Sequence, residues 1–284
     1  MKLESVQPTG SFKTRGAHNR IALLAAEQPE ARIVTASSGN HGIAVAHAAE
    51  RFGMRATILV GAASSSAKLE RLRALETDAI TVEVFGRDTD DTEAEARRRD
   101  DAGAAIYVAP YNDADVIAGQ GTVGLEILEA WPQVDVIVVP VGGGGLIAGI
   151  GLWAKAVSAG VRIVGVQPSA SPPMYAYLES GTTRPMPIAP TLADGVAGNI
   201  ERGSITFSLC RRLVNQIVLV QEDEIADAMR WAVDEQHLVL EASAVLGIAA
   251  LRARRIDEID GSRVAVVATG RNVDGETLRR VLAG

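Results

Sequence analysis

Two glycine-bounded segments concentrate residues suited to holding an anion and an amine. The first is Gly142, Gly143, Gly144 and Gly145, which follows the apolar run 134–141 and opens a helical pattern. Successive glycines remove every Cβ that would keep an anion off the backbone. A helix N-terminus adds unpaired N–H groups with partial positive charge. The segment predicts a phosphate-binding turn; a strand-to-helix turn without a ligand is the plainer reading. No Gly-Lys-Ser/Thr follows, and neither the G-x-G-x-x-G spacing nor an acidic residue ending the next strand is present, so the phosphate need not belong to a nucleotide. The second segment runs from Gly10 to Ala17 and places Lys13 between Phe12 and Arg15. A neighbouring cation and partial desolvation disfavour an ammonium, which is what a lysine that forms a Schiff base requires. A Lys beside an Arg is otherwise ordinary surface charge.

Two further segments add polar groups. Ser37-Ser38-Gly39-Asn40-His41-Gly42 lies between a strand and a helix. Its hydroxyls, amide and helix-terminal N–H groups suit a carboxylate, although Ser and Asn are also common as ordinary N-caps. Thr269-Gly270-Arg271-Asn272 follows the last strand and by itself reads as a turn.

The elements that must position these residues alternate along most of the chain. Short Val/Ile-rich runs at 32–36, 56–60, 80–85, 105–109, 134–141, 162–166, 216–220 and 263–268 read as strands. Helical patterns fall near 41–52, 67–75, 92–101, 116–130, 146–159, 222–235, 241–255 and 276–282, and 180–199 reads as a long loop. Continuous apolar strands separated by helices predict an α/β, doubly wound fold with parallel sheet covered on both faces. In such sheets ligands bind beyond the carboxyl ends of the strands.

Composition narrows the class. The formal net charge of −7 and the absence of a basic face argue against nucleic acid or an anionic membrane as partner. Arg97-Arg98-Arg99 is the nearest basic cluster, but it sits among acids and reads as a solvated helix face. One cysteine, Cys210, permits no intramolecular disulfide and suits a reducing compartment. Gly and Pro interrupt every apolar stretch short of membrane-spanning length, so a soluble, cytoplasmic protein is expected. The four histidines show no metal-ligand spacing, and no metal site is expected.

Taken together and in order, the four segments resemble the fold-type II pyridoxal-phosphate enzymes, in the branch of serine/threonine dehydratase and serine racemase. Residues 116–122 (Val-Ile-Ala-Gly-Gln-Gly-Thr) and 191–195 (Thr-Leu-Ala-Asp-Gly) add to the likeness, which runs over essentially the whole chain. The resemblance implies two lobes with open, mostly parallel twisted sheets and helices on both faces, as in the tryptophan synthase β-like fold. The large cofactor-binding domain would comprise 1–31 plus 111–284, and the small substrate-loop domain 32–110. Pyridoxal 5'-phosphate is the implied cofactor, Lys13 the residue that carries it and acts as base at Cα. Phe12 would line its pocket, and Asn40 would bond the ring hydroxyl. Backbone N–H groups of Gly142, Gly143, Gly144, Gly145 and Leu146 would hold the phosphate. Thr269 would meet the pyridine nitrogen, with Glu241 near the cofactor. Ser37, Ser38, Asn40 and His41 would bind the substrate.

The implied reaction is loss of water from L-threonine or L-serine, or a related 3-hydroxy amino acid, to give a 2-oxo acid and ammonia. A neutral hydroxyl at Thr269 cannot hold the pyridine protonated, and this weaker electron sink suits rapid elimination. Serine racemisation is the nearest rival, because Ser38 occupies the position where racemases of this family place a serine opposite the lysine. A β-replacement synthase fits less well, since those relatives have Thr where His41 stands. The likeness begins at the cofactor-lysine motif without the segment that precedes it in the family. That motivates an alternative of another class, a catalytically impaired cofactor-binding protein. The partners implied are a small amino-acid substrate and, as is common among relatives, a second copy of the chain.

Overall fold

The structure is a computed structural model that describes residues 1–284. In chain order it begins with β1 (Lys2–Leu3), α1 (Lys13–Glu27), β2 (Arg32–Ala36), α2 (Asn40–Arg51), β3 (Arg55–Val60), α3 (Ser66–Arg73), β4 (Ile80–Val84), α4 (Thr89–Asp101), β5 (Ile106–Tyr107) and α5 (Ala114–Ala130). It continues with β6 (Val136–Pro140), α6 (Gly145–Val157), β7 (Arg162–Pro168), α7 (Pro173–Ser180), α8 (Ile205–Leu213), β8 (Gln216–Val220), α9 (Glu222–Asp234), α10 (Leu246–Arg252), β9 (Val264–Ala268) and α11 (Gly275–Leu282). The expected α/β fold is present, with two parallel sheets flanked by helices. No helix is long and apolar enough to cross a membrane.

The chain divides into two compact units, Met1–Phe12 with Gln120–Gly284, and Lys13–Gly119. These limits differ from the domain limits expected at 31/32 and 110/111, because α1 and the start of α5 group with the smaller unit. The physical cause is packing. Ala17, Ile21 and Leu24 of α1 share one apolar cluster with Ala44, Val45 and Ala48 of α2. Gly119 of α5 backs onto α1 so closely that a Cβ there would lie 2.6 Å from the Arg15 carbonyl oxygen.

In the larger unit the strand order is β1-β9-β6-β7-β8, every pair parallel. All five residues of β6 are buried, which explains its unbroken apolar sequence: a strand covered on both faces has no side that can tolerate polar residues. β6 and β9 are neighbours, paired Val136 to Val264 through Val138 to Val266, so the glycine turn and Thr269 leave the same edge of the sheet. In the smaller unit the order is β4-β3-β2-β5, again parallel. β2 and β5 are neighbours, so the Ser37–His41 loop and residues 108–110 also leave one edge together.

Candidate functional site

The larger unit carries the glycine turn between β6 and α6. Gly144 caps α6 with φ +89°, a left-handed conformation that an L side chain adopts only with strain. A Cβ on Gly142 would lie 3.1 Å from the Cα of Val196, in the loop that carries the expected 191–195 motif. No turn or loop hydrogen bond uses the N–H groups of Gly143, Gly144, Gly145 or Leu146. They are the free donors of a helix N-terminus, with space for an anion where side chains would otherwise stand.

On the same sheet edge three segments are knotted through their backbones. The N–H of Phe12 donates to the Thr269 carbonyl at 3.0 Å, Arg271 N–H to Gly10 O at 2.9 Å, and Glu241 N–H to Gly270 O at 3.1 Å. Asn272 Nδ2 donates to Thr9 O at 2.9 Å, and its side chain lies over Gly10, whose φ is +75°. A Cβ on Gly270 would sit 2.6 Å from Oε1 of Glu241, which places that carboxylate directly beside the Thr269 turn. Phe12, Glu241 and Thr269 therefore converge within this unit. Lys13 is the next residue in the chain after the anchored Phe12.

In the smaller unit Lys13 opens α1 and its Nζ donates to the Pro110 carbonyl at 2.8 Å. His41, in the first turn of α2, is almost fully buried, and its Nε2 lies 3.0 Å from the Val108 carbonyl. A carbonyl only accepts, so Nε2 carries the proton. Burial, and secondarily the Lys13 charge, pushes the His41 pKa down to about 3, so the ring is neutral and its Nδ1 is a bare acceptor. Its one donor is taken by Val108, and what His41 offers an anion is its main-chain N–H. Ser37 Oγ accepts the Gly39 N–H at 3.2 Å and shapes the loop that presents the α2 N-terminus. Ser38 lies in the same loop and Asn40 opens α2, both partly exposed.

Several residues here were not visible as functional in the sequence. The carbonyls of Val108 and Pro110 hold His41 and Lys13, yet backbone acceptors carry no residue signature. Asn272, within a segment noted in the sequence only as a turn and a likeness, donates to Thr9 across 263 positions. Gln120 is buried with neither amide atom paired, within the 116–122 motif noticed only as a likeness. His18 and His47, distant in sequence, meet where α1 packs on α2, with 3.2 Å between His18 Nε2 and His47 Nδ1.

The residues present fit a phosphorylated aldehyde cofactor. Within the larger unit the glycine turn leaves donors and room for the phosphate dianion, and the Thr269 hydroxyl with the Glu241 carboxylate lies at the end of the strand beside the turn.

Comparison with known proteins agrees in kind. The family model described as pyridoxal-phosphate dependent enzyme matches residues 1–270. The L-threonine ammonia-lyase of Thermotoga maritima is 40% identical over 282 residues, 99% of this chain and 69% of that protein. The processed form of threonine deaminase isoform 2 from Solanum lycopersicum superposes with a TM-score of 0.89 at 33% identity, over 99% of this chain and 82% of that one. Maize serine racemase does so with a TM-score of 0.89 at 32% identity, over 99% and 85%.

Proposed function

Because this chain belongs to the pyridoxal-phosphate dependent enzymes, in the fold-type II group of threonine/serine dehydratases and serine racemases, we propose that it dehydrates and deaminates L-threonine, L-serine or a related 3-hydroxy amino acid. The observation that carries this reading is Lys13. Its amine is held by the Pro110 carbonyl, one residue after the Phe12 that is bonded to Thr269.

When bound, pyridoxal phosphate supplies an electron-poor ring, conjugated to the substrate nitrogen, that stabilises negative charge at Cα. The remaining work falls to the chain. The N–H groups of the glycine turn hold the phosphate. Ser37, Ser38 and the main-chain N–H groups of Asn40 and His41 at the start of α2 hold the substrate carboxylate, and the Asn40 side chain bonds the ring hydroxyl. Lys13 would be the base that takes the Cα proton, a role that needs its amine unprotonated. The Cβ–O bond then breaks and the hydroxyl leaves as water, the proton it gains balancing the one that Lys13 takes from Cα. The enamine released is hydrolysed to a 2-oxo acid and ammonia. Thr269 offers the pyridine nitrogen a neutral hydroxyl, and that favours elimination over a long-lived charge at Cα. Glu241, beside Thr269, completes the polar end of the cofactor site. The single, buried Cys210 supports a home in the reducing cytoplasm.

A panel of 3-hydroxy amino acids assayed for 2-oxo acid tests the reading. Lys13→Ala is expected to abolish both product formation and the near-visible absorption of the protein. Full activity in that variant ends the proposal. Ser38, in the carboxylate loop, favours a second activity, racemisation of serine with Ser38 and Lys13 as the two proton carriers. Comparing D-serine with pyruvate formation in wild type and Ser38→Ala separates the two.

A further inference from the structure

The Gly143 carbonyl of the glycine turn faces a short chain of buried hydroxyls at the start of α8. Ser204 caps that helix, its Oγ accepting the N–H of Thr206 at 3.3 Å. Thr206 Oγ1 lies 2.7 Å from the Gly143 carbonyl oxygen and 2.7 Å from Ser204 Oγ. The directions are forced. A carbonyl only accepts and a hydroxyl has one hydrogen, so Thr206 donates to Gly143 and Ser204 donates to Thr206. Thr206 is fully buried and Ser204 nearly so. One turn further along α8, Cys210 Sγ lies 4.0 Å from the Gly144 carbonyl. A Cβ on Gly144 would meet Met174 Cε at 2.7 Å, Thr206 Cβ at 3.1 Å and Cys210 Sγ at 3.2 Å, so α7 and α8 wall the turn on this side.

Four glycines in a row make a permissive cradle but also an undecided one. Glycine backbones reach most of φ/ψ space, and a flipped Gly-Gly peptide would aim a carbonyl oxygen at the anion in place of an N–H. A trans peptide points its C=O and the following N–H in opposite directions, and the chain has no cis peptide bond. With the Gly143 carbonyl held toward α8, the Gly144 N–H faces away from α8.

We propose that Thr206 is a positioning residue for the anion cradle: through the Gly143 carbonyl it fixes the 143–144 peptide with its N–H toward the cofactor phosphate, and Ser204 in turn holds Thr206. This rests on the reading that the glycine turn binds that phosphate, and it names the device that makes the turn selective.

The test titrates the full chain with pyridoxal phosphate and with pyridoxal, which lacks the phosphate, by near-visible absorption. The 31P resonance of the bound cofactor is a second readout. Thr206→Val keeps the side-chain shape and removes the hydroxyl. Loss of one buried hydrogen bond is expected to weaken pyridoxal phosphate about tenfold, leave pyridoxal within about twofold and shift the 31P resonance. Thr206→Ser is expected to restore wild-type affinity. Ser204→Ala, which strips Thr206 of its donor, is expected to give a smaller loss of the same phosphate-selective kind. Equal weakening of both ligands, or unchanged pyridoxal phosphate affinity in Thr206→Val, overturns the inference. If Thr206→Val does not accumulate as folded protein, Ser204→Ala decides by the same criterion. A wild-type chain that binds pyridoxal as tightly as pyridoxal phosphate overturns the glycine-turn reading itself, and the inference with it. A wild type that discriminates, with a variant that loses nothing, overturns the inference alone.

Discussion

Lowering the pH from 7 to 5 should remove about 2 kcal/mol of folding stability through His41 alone. The ring is 2% exposed, and burial, then the Lys13 charge, holds its pKa at about 3. In the unfolded chain an ordinary imidazole titrates near ~6.5. Between these values the unfolded chain binds the extra proton, so this contribution is intact above the unfolded pKa and is lost as pH falls from there toward the folded pKa. Integrating the two titrations gives a loss of about 0.2 kcal/mol at pH 7 and about 2 kcal/mol at pH 5. At pH 5 the folded ring is still neutral, so the unfolded ring alone sets the size of the effect. His41→Gln keeps an N–H donor for the Val108 carbonyl but cannot titrate. Urea unfolding of both proteins at the two pH values isolates the ring, because every other group titrates in both and cancels. The wild type is expected to lose about 2 kcal/mol more than the variant. Parallel losses in the two proteins would refute the claim that a neutral imidazole is locked onto Val108.

Other perturbations test the backbone geometry and the balance of chemistry. Gly144→Ala meets both a left-handed φ of +89° and Met174 Cε at 2.7 Å, whereas Gly53→Ala meets φ +69° with open space around it. Urea unfolding should show a loss of about 1 kcal/mol for Gly53→Ala, from strain alone, and a clearly larger one for Gly144→Ala. Gly119→Ala would press on backbone that cannot rotate away, the Arg15 oxygen at 2.6 Å and Gly16 Cα at 2.7 Å, while Gly121→Ala would meet Gly149 O at 3.0 Å. The first is expected to lose about 1–3 kcal/mol in the same assay and more than the second; equal losses would contradict the packing of α5 on α1. Thr269→Asp puts a charge where the pyridine nitrogen is expected, so the ratio of D-serine to pyruvate formed from L-serine should rise, and an unchanged ratio would remove Thr269 from that role.

The sheets were legible because their strands are unbroken apolar runs, and 32–36 and 216–220 match the structure at both ends. The run 105–109 shortened to Ile106–Tyr107, since Val108 and Pro110 turn their carbonyls to His41 and Lys13 instead of continuing the ladder. The single helix expected over 241–255 is a 3-10 turn, Ala242–Val245, followed by α10, with Gly247 so near β9 that a Cβ would lie 2.8 Å from Val266 Cγ1. Helix α1 escaped notice because Gly16 and the polar Arg15, His18, Asn19 and Arg20 blur its apolar stripe, so the segment read only as a motif. Helix α7 starts at a Pro-Pro pair that reads as a break, although Pro is well tolerated in a first turn. The segments expected to hold ligands were visible as clusters of glycine and hydroxyl residues. Their supports were not: Thr206 reaches Gly143 across 63 positions and Asn272 reaches Thr9 across 263, and nothing local in either stretch announces such a bond.

Both units meet the same electrostatic problem. On the proposed function, a chain of net charge −7 has to attract a phosphate and a carboxylate, and long-range attraction works against it. The favourable field therefore has to be local. On that reading it comes from two helix N-termini, α6 behind its glycine turn and α2 behind Ser37–Gly39, where fixed N–H dipoles act over one turn and need no counter-ion. Dipoles of this kind help only if the peptides cannot flip, and side chains hold the backbone in both turns: Thr206 donates to the Gly143 carbonyl, and Ser37 Oγ accepts the Gly39 N–H. Main-chain N–H groups do not titrate, and the one imidazole at the α2 terminus is held neutral by burial. Anion affinity should accordingly be nearly flat from pH 6 to 8 once the ligand's own ionisation is allowed for. A steep rise toward acid pH would mean that a titrating cation, and not the backbone, provides the attraction.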